Sequence, residues 1–206
     1  MSICYIVGAG DCPQIDFVPQ KNDIVIAADG GLKHLERVGL KPDVIIGDFD
    51  SLGVIPQGEN IVKLKPEKDI TDMDAAVGAG IEAGFSEFMI YGATGGRIDH
   101  TLANIQLTAS LAQRGMKASI HDGKTVITAI TNGSLEFGSD FKGYVSVFAH
   151  SDECSGIYLE GLKYPLHNAV LKNTFPLGVS NEFIGVKSKI TVENGTVIVV
   201  YTCALS

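Results

Sequence analysis

A chain of 206 residues fits one large domain or two small ones, and either size buries a real core. Hydrophobic residues make up 45% and charged residues 19%, a folded rather than a disordered composition, and a net charge of −8 argues against a general nucleic-acid binder. Cys4, Cys12, Cys154 and Cys203 lie far apart with no CxxC pair, no charged-then-apolar leader precedes Ile3, and no apolar run approaches the ~20 residues that span a bilayer. The expectation is a soluble cytoplasmic protein with reduced thiols, no membrane partner and no structural zinc.

In chain order, short apolar runs at residues 3–7, 24–28, 44–46, 61–64 and 88–91 read as strands. Helical patterns fall between them. Residues 31–38 form one, stopped by Gly39 and Pro42. Residues 72–83 are clearer, with Met73, Ala76, Val77, Gly80 and Ile81 on one face and Gly84 as the stop. Residues 101–114 are the third. Alternating strand and helix predicts a parallel sheet covered by helices, with ligands beyond the carboxyl ends of the strands. After about Met116 no helical pattern remains. Asn132-Gly133 and Asn194-Gly195 each stand between β-rich runs and predict two hairpins. The fold class expected is therefore α/β: an N-terminal parallel-sheet α/β domain over 1–120, then an all-β sandwich or small barrel over 125–206.

The acids of the first half are concentrated at strand exits and helix entries: Asp29 in "AADGG", Asp48 and Asp50 in "GDFDS", Asp69 and Asp72 in "KDITDMD", Asp99 in "GATGGRIDH". In a parallel sheet those places share one rim, so up to six carboxylates are expected together. Any one of them has an ordinary explanation as a cap or a dipole partner. Six in the same topological position point instead to a hard cation, Mg²⁺, and the phosphates it accompanies. An extended segment would place Asp48 and Asp50 on one side, about 7 Å apart at Cα, with Phe49 turned into the core. The glycine-rich "GATGGRIDH" offers backbone N–H groups to an anion, and Arg97 a bidentate fork. Lys68 adds a cation. "VGAGD" is a second glycine turn, but neither a P-loop nor a complete GxGxxG is present. Of the five histidines, His100 alone sits in a motif, and nothing supports a covalent nucleophile.

Asp48-Phe49-Asp50 also suggests a haloacid-dehalogenase phosphatase. That reading asks for Thr or Val where this chain has Leu52, and it leaves Asp29, the "GGRIDH" segment and the all-β tail without a role. A DxD sugar-nucleotide transferase and a non-enzymatic nucleotide sensor are further rivals.

Taken together, "AADGG" (27–31), "KPDVIIGDFDSL" (41–52), "EKDITDMDAA" (67–76), "YGATGGRIDHTLANI" (91–105), "GLKYPL" (161–166) and "GVSNEF" (178–183) span nearly the whole chain, and the chain resembles bacterial thiamine pyrophosphokinases. The resemblance implies transfer of diphosphate from ATP to the hydroxyl of thiamine, giving AMP and thiamine diphosphate with Mg²⁺. It also implies a homodimer whose active site lies at the subunit interface. A pyrophosphokinase acting on a pterin alcohol is the alternative, and a Mg²⁺-dependent phosphatase of the dehalogenase type a weaker one. By the same resemblance the catalytic residues are Asp48, Asp50, Asp72, Asp99 and Arg97, and the metal ligands Asp48, Asp50, Asp69 and Asp72. ATP falls to Asp29, Gly30, Gly31, Ser51, Lys68, Thr94, Gly95 and Arg97. Thiamine falls to Asp72, Asp99, His100, Ser180 and Asn181. The chain has no Trp, and some relatives stack an aromatic on thiamine from the β domain; here either Phe183 or Phe175 takes that place or the stack is missing.

Overall fold

The structure, a computed structural model, describes residues 2–49, 60–64 and 70–202. The chain divides into two compact units, Met1–Asn104 with Ile120–Gly123, and Ile105–Ser119 with Lys124–Ser206.

The first unit is built on parallel strands β1 (Cys4–Val7), β2 (Ile24–Ala28), β3 (Val44–Gly47), β4 (Ile61–Lys63) and β5 (Glu87–Tyr91). β1 pairs with β2 on one side and β5 on the other; β3 follows β2, and β4 follows β3. The chain steps outward from β1 to β4 and then returns to the opposite side of β1. The connections that follow β1 and β5 therefore lead to opposite sides of the sheet, which makes a topological switch point, the place where such sheets bind ligands. β1 is buried along its whole length and β2 almost so, as a sheet covered on both faces requires.

Helix α1 (Gly31–Arg37) begins against the end of β1: Gly31 is buried, and a Cβ there would overlap the Val7 carbonyl. Helix α2 (Asp72–Glu82) starts with a capping box. Thr71 Oγ1 accepts from Asp74 N–H at 3.1 Å, and the Asp74 carboxylate accepts from Thr71 N–H at 3.2 Å. The face Met73, Ala76, Val77 and Gly80 is buried, the face read from the sequence. Helix α3 (Ile98–Gln113) starts three residues before the expected 101, so Asp99 and His100 stand in its first turn.

Behind β1 lies an aromatic cluster. Tyr5 stacks on Phe17 at 4.0 Å, Tyr91 donates to Asp16 at 2.8 Å, and Tyr91 stacks on His121 at 5.0 Å. Burial pushes the His121 pKa below its usual 6.5, with Asp16 opposing weakly. The unfolded chain then takes up a proton near 6.5 that the folded chain refuses. The contribution of this group is whole above pH 6.5 and declines as pH falls from 6.5 toward the lowered folded value. Urea unfolding of His121→Phe at stepped pH is expected to lose that part of the slope; an unchanged slope refutes it.

The second unit is β-rich: β6 (Lys117–Asp122, whose last three residues group with the first unit), β7 (Thr125–Phe137), β8 (Tyr144–Ala149), β9 (Glu153–Glu160), β10 (Leu166–Lys172), β11 (Gly178–Glu182) and β12 (Ser188–Thr202). The two expected Asn-Gly hairpins do not form. β7 and β12 run straight through their Asn-Gly pairs and bond to each other along their whole length. Val192 faces Gly133 and Thr196 faces Thr131, so residues 193–195 bulge against Asn132 alone. Asn132 adopts φ 46°, and its Oδ1 accepts from Gly195 N–H at 2.9 Å.

The bulge flips the inward parity of β12, from Ile190 and Val192 before it to Val197 and Val199 after it. One half of β12 pairs with β9, the other with β8; β10 extends the first sheet and β11 the second. Both halves feed one core of Phe137, Val145, Val147, Ile157, Leu159, Ile190, Val197 and Val199. Two long strands, with β12 bulged at residues 193–195 against Asn132, thus make both layers of a β-sandwich.

Candidate active site

The sheet of the first unit delivers its strand exits to one rim. Asp29 follows β2, Asp48 follows β3, and Asp72 opens α2. Each presents a carboxylate oxygen, all within 4.8 Å of one another, and all three residues are half-buried. α2 can offer Asp72 outward because Asp74 takes the capping role. The backbone between the acids is unusual. Asp29 has φ 48° and donates its N–H to Ile46 carbonyl at 2.7 Å; Phe49 has φ 64° and is buried. Non-glycine residues in this region cost on the order of 1 kcal/mol each and are held by their surroundings. Phe49 does turn into the core, but the extended geometry expected for residues 48–50 does not hold, because the left-handed residue breaks the alternation. Asp50, Ser51, Lys68 and Asp69 lie outside the described residues.

A cleft of about 450 Å³ opens beside Asp29 and Asp72. Its other walls are the loops after β1 and β5, stitched together by Gly10 N–H to Gly92 carbonyl at 2.8 Å and Asp11 N–H to Thr94 carbonyl at 2.7 Å. Thr94, Gly95, Arg97 and His100 line it, as the sequence suggested. Thr94 is buried, and its Oγ1 has no hydrogen-bond partner among the described residues. Gly30 is the N-cap of α1, while Gly31 is spent on packing under Val7.

Arg97 is bonded to Asp99 through Nε at 3.2 Å and a terminal nitrogen at 2.5 Å. This pair is exposed, and it holds the Asp99 carboxyl below the usual carboxylate range and the Arg97 guanidinium above its own. A phosphate entering the cleft competes with Asp99 for the same fork.

Two wall residues escaped the sequence reading. Asn104 is buried and donates to Ala93 carbonyl at 2.7 Å, bracing the loop after β5. The signal was present: His100 and Asn104 are four apart on α3, hence on one face. Asp11 also lines the cleft, in the "VGAGD" turn, where glycine spacing drew the attention.

In the second unit, Ser180 and Asn181 sit on β11. Ser180 is exposed with φ 60°, and its N–H donates to Ser146 Oγ at 3.0 Å. Asn181 is buried, and its amide is engaged with Tyr164: Oδ1 accepts from Tyr164 N–H at 2.9 Å, and Nδ2 donates to Tyr164 carbonyl at 2.7 Å. Asn181 therefore fixes Tyr164, whose side chain is exposed. Of the two rings expected to face a ligand, Phe183 is in the core, edge-on to Phe137 at 5.0 Å, and is not available. Phe175 is exposed, as is Tyr164, which the sequence reading passed over.

Comparison with known proteins adds a separate line. The family model described as "Thiamin pyrophosphokinase, catalytic domain" matches residues 17–120, and "Thiamin pyrophosphokinase, vitamin B1 binding domain" matches residues 132–198. A thiamine pyrophosphokinase of Bacillus subtilis (strain 168) is 30% identical over 196 residues, 91% of each chain. Among solved structures, a thiamine pyrophosphokinase from Bacillus subtilis superposes with a TM-score of 0.86 at 26% identity, covering 100% of both chains. One from Geobacillus thermodenitrificans gives 0.84 at 28% identity, covering 99% of each.

Proposed function

The chain belongs to the thiamin pyrophosphokinase family and transfers a pyrophosphate group to thiamine, and from that premise we propose that ATP is the donor, Mg²⁺ the cofactor and a homodimer the working form. The matches lend no support to the pterin-kinase or phosphatase alternatives. The carrying observation is the Asp29, Asp48 and Asp72 group at the edge of the cleft. Its donors are all hard carboxylate oxygens. Three such oxygens within 4.8 Å of one another are near enough to be shared by one small hard cation, and Asp29, Asp48 and Asp72 would hold it. The residues fit the ion, with Asp50 and Asp69 as further ligands in the proposal. When bound, Mg²⁺ supplies stabilisation of the charge that spreads over the transferring phosphoryl oxygens.

The protein residues then divide the remaining work. Arg97 leaves Asp99 for the phosphates, joined by Lys68 and Ser51; Thr94, Gly95, Asp29 and Gly30 border the nucleotide. The thiamine hydroxyl oxygen bonds to the β-phosphorus, the bond from that phosphorus to the α–β bridging oxygen breaks, and AMP departs with the electron pair. The hydroxyl proton passes to Asp72 or Asp99, the carboxylates in the first turns of α2 and α3. His100 from the same helix forms the thiamine side together with Ser180 and the ring of Tyr164, both contributed by the partner subunit, where Asn181 fixes Tyr164. In this reading residues 1–120 carry ATP and Mg²⁺, and residues 125–206 carry thiamine and the dimer contact. Phe175, Leu177, Val179, Ile184 and Val186 are exposed in one stretch of the β-rich unit, a supply of apolar surface that supports a subunit contact.

Incubation with ATP, Mg²⁺ and thiamine is expected to yield AMP and thiamine diphosphate in equal amounts. Orthophosphate released without thiamine, or AMP formed with a pterin alcohol and not with thiamine, refutes the reading.

A further inference from the structure

Asp11 lines the same cleft as the acid group but does not belong to it. Along the rim the strand tips follow in the order β3, β2, β1, β5, with neighbours about 4.8 Å apart. Asp48 and Asp29 come from the tips of β3 and β2. Asp11 comes from the loop after β1, against the loop of β5, so it stands on the order of one or two strand spacings from the acids that suit a cation.

Its position is fixed from both sides. The Asp11 N–H is bound to Thr94 carbonyl at 2.7 Å. Both neighbouring carbonyls are held by α1: Gly10 accepts from His34 Nε2 at 2.9 Å, which sets that ring nitrogen as the protonated one, and Cys12 accepts from Arg37 at 2.6 Å. Gly95, at φ 78°, leaves the space the carboxylate needs, since a Cβ at 95 would overlap it. Among the described residues, no hydrogen bond or ion pair engages the Asp11 carboxylate, and the residue is exposed. An acceptor-only group on a braced backbone thus stands in the wall of a cleft.

We propose that Asp11 is a specificity-determining residue of the donor site, accepting hydrogen bonds from the ribose hydroxyls of the nucleotide; this rests on the reading of ATP as donor. A carboxylate repels phosphate, so it does not face the triphosphate. It suits a neutral group rich in donors, and two vicinal hydroxyls match its two oxygens. The ribose lies one phosphate beyond the transferred diphosphate, a span comparable to that between Asp11 and the acid group. His34 and Arg37 are positioning residues for this contact.

The test measures AMP formation from ATP, 2′-deoxy-ATP and 3′-deoxy-ATP by the wild type, Asp11→Asn and Asp11→Ala, and the KM for thiamine in each. The wild type is expected to prefer ATP by about tenfold or more in kcat/KM. Asp11→Ala is expected to bring the three nucleotides close to equality through a raised KM for ATP, with kcat and the thiamine KM retained. Asp11→Asn, which keeps one acceptor oxygen, falls between them. A wild type that does not discriminate, a preference that survives Asp11→Ala, or a rise confined to the thiamine KM overturns the assignment. A wild type that makes no AMP from any of the three refutes the donor reading itself, so the two failures are told apart.

Discussion

Asp48→Asn is expected to slow AMP formation by roughly a hundredfold to a thousandfold or more, the scale of losing one preorganised charge contact in a phosphoryl-transfer site. The fold is expected to survive intact. Asn has the shape of Asp, and Asp48 is half-buried on the rim rather than in the core. In the wild type, adding Mg²⁺ raises the melting temperature by mass action on the folded state, and a chelator reverses it. Asp48→Asn is expected to lose most of that rise along with turnover. Asp29→Asn is expected to behave likewise, because its carboxylate completes the same group. A variant of near-normal rate, or one whose melting temperature still climbs with Mg²⁺, removes Asp48 from the site.

The acid group was legible because strand exits in a parallel sheet share an edge, whatever the details of packing. That rule alone brings Asp29, Asp48 and Asp72 together, although they are up to 43 positions apart (72 − 29). It also misled at Asp99. Asp99 sits in the first turn of α3, bonded to Arg97, because α3 begins directly after the glycine loop. The local reading of residues 48–50 failed where the backbone leaves ordinary strand geometry: nothing in "GDFDS" announces a left-handed phenylalanine. The Asn-Gly pairs failed for a different reason. Each has the dihedral preferences of a tight turn, and Asn132 does adopt a left-handed conformation, but the two pairs meet across one ladder, where residues 193–195 bulge against Asn132. Whether Asn-Gly reverses a chain or bends it is decided by the strand opposite, 60 residues away, which a local pattern does not contain. Phe183 is expected at the ligand only because some relatives stack an aromatic there; its burial against Phe137 is a property of the core.

Two inactive variants are expected to restore each other. Asp48→Asn disables the rim and leaves the β-rich unit intact. Asn181→Ala does the reverse: it strips Tyr164 N–H and carbonyl, and the Glu182 N–H, of their partner, and so releases Tyr164. These groups are only part-buried, so water replaces some of the lost bonds, and the local loss of about 1 kcal/mol is one that a domain of ordinary stability survives. Each variant alone is expected to show a small residue of wild-type turnover. If each site joins one subunit's rim to the other subunit's β-rich unit, mixing behaves differently. Dissociated and reassociated at equal amounts, the two variants form mixed dimers half of the time. Each mixed dimer has one site with both defects and one with neither. Turnover should then recover to about a quarter of wild type, a value set by symmetry and not by the depth of either defect. Recovery must also depend on subunit exchange, appearing after mild denaturant and not on simple mixing of stable dimers. If both halves of the site belong to one chain, every mixed dimer carries one defect per site and nothing returns. A quarter against nearly nothing separates the shared site from the self-contained one, and a monomeric elution volume for the wild type overturns the shared site outright.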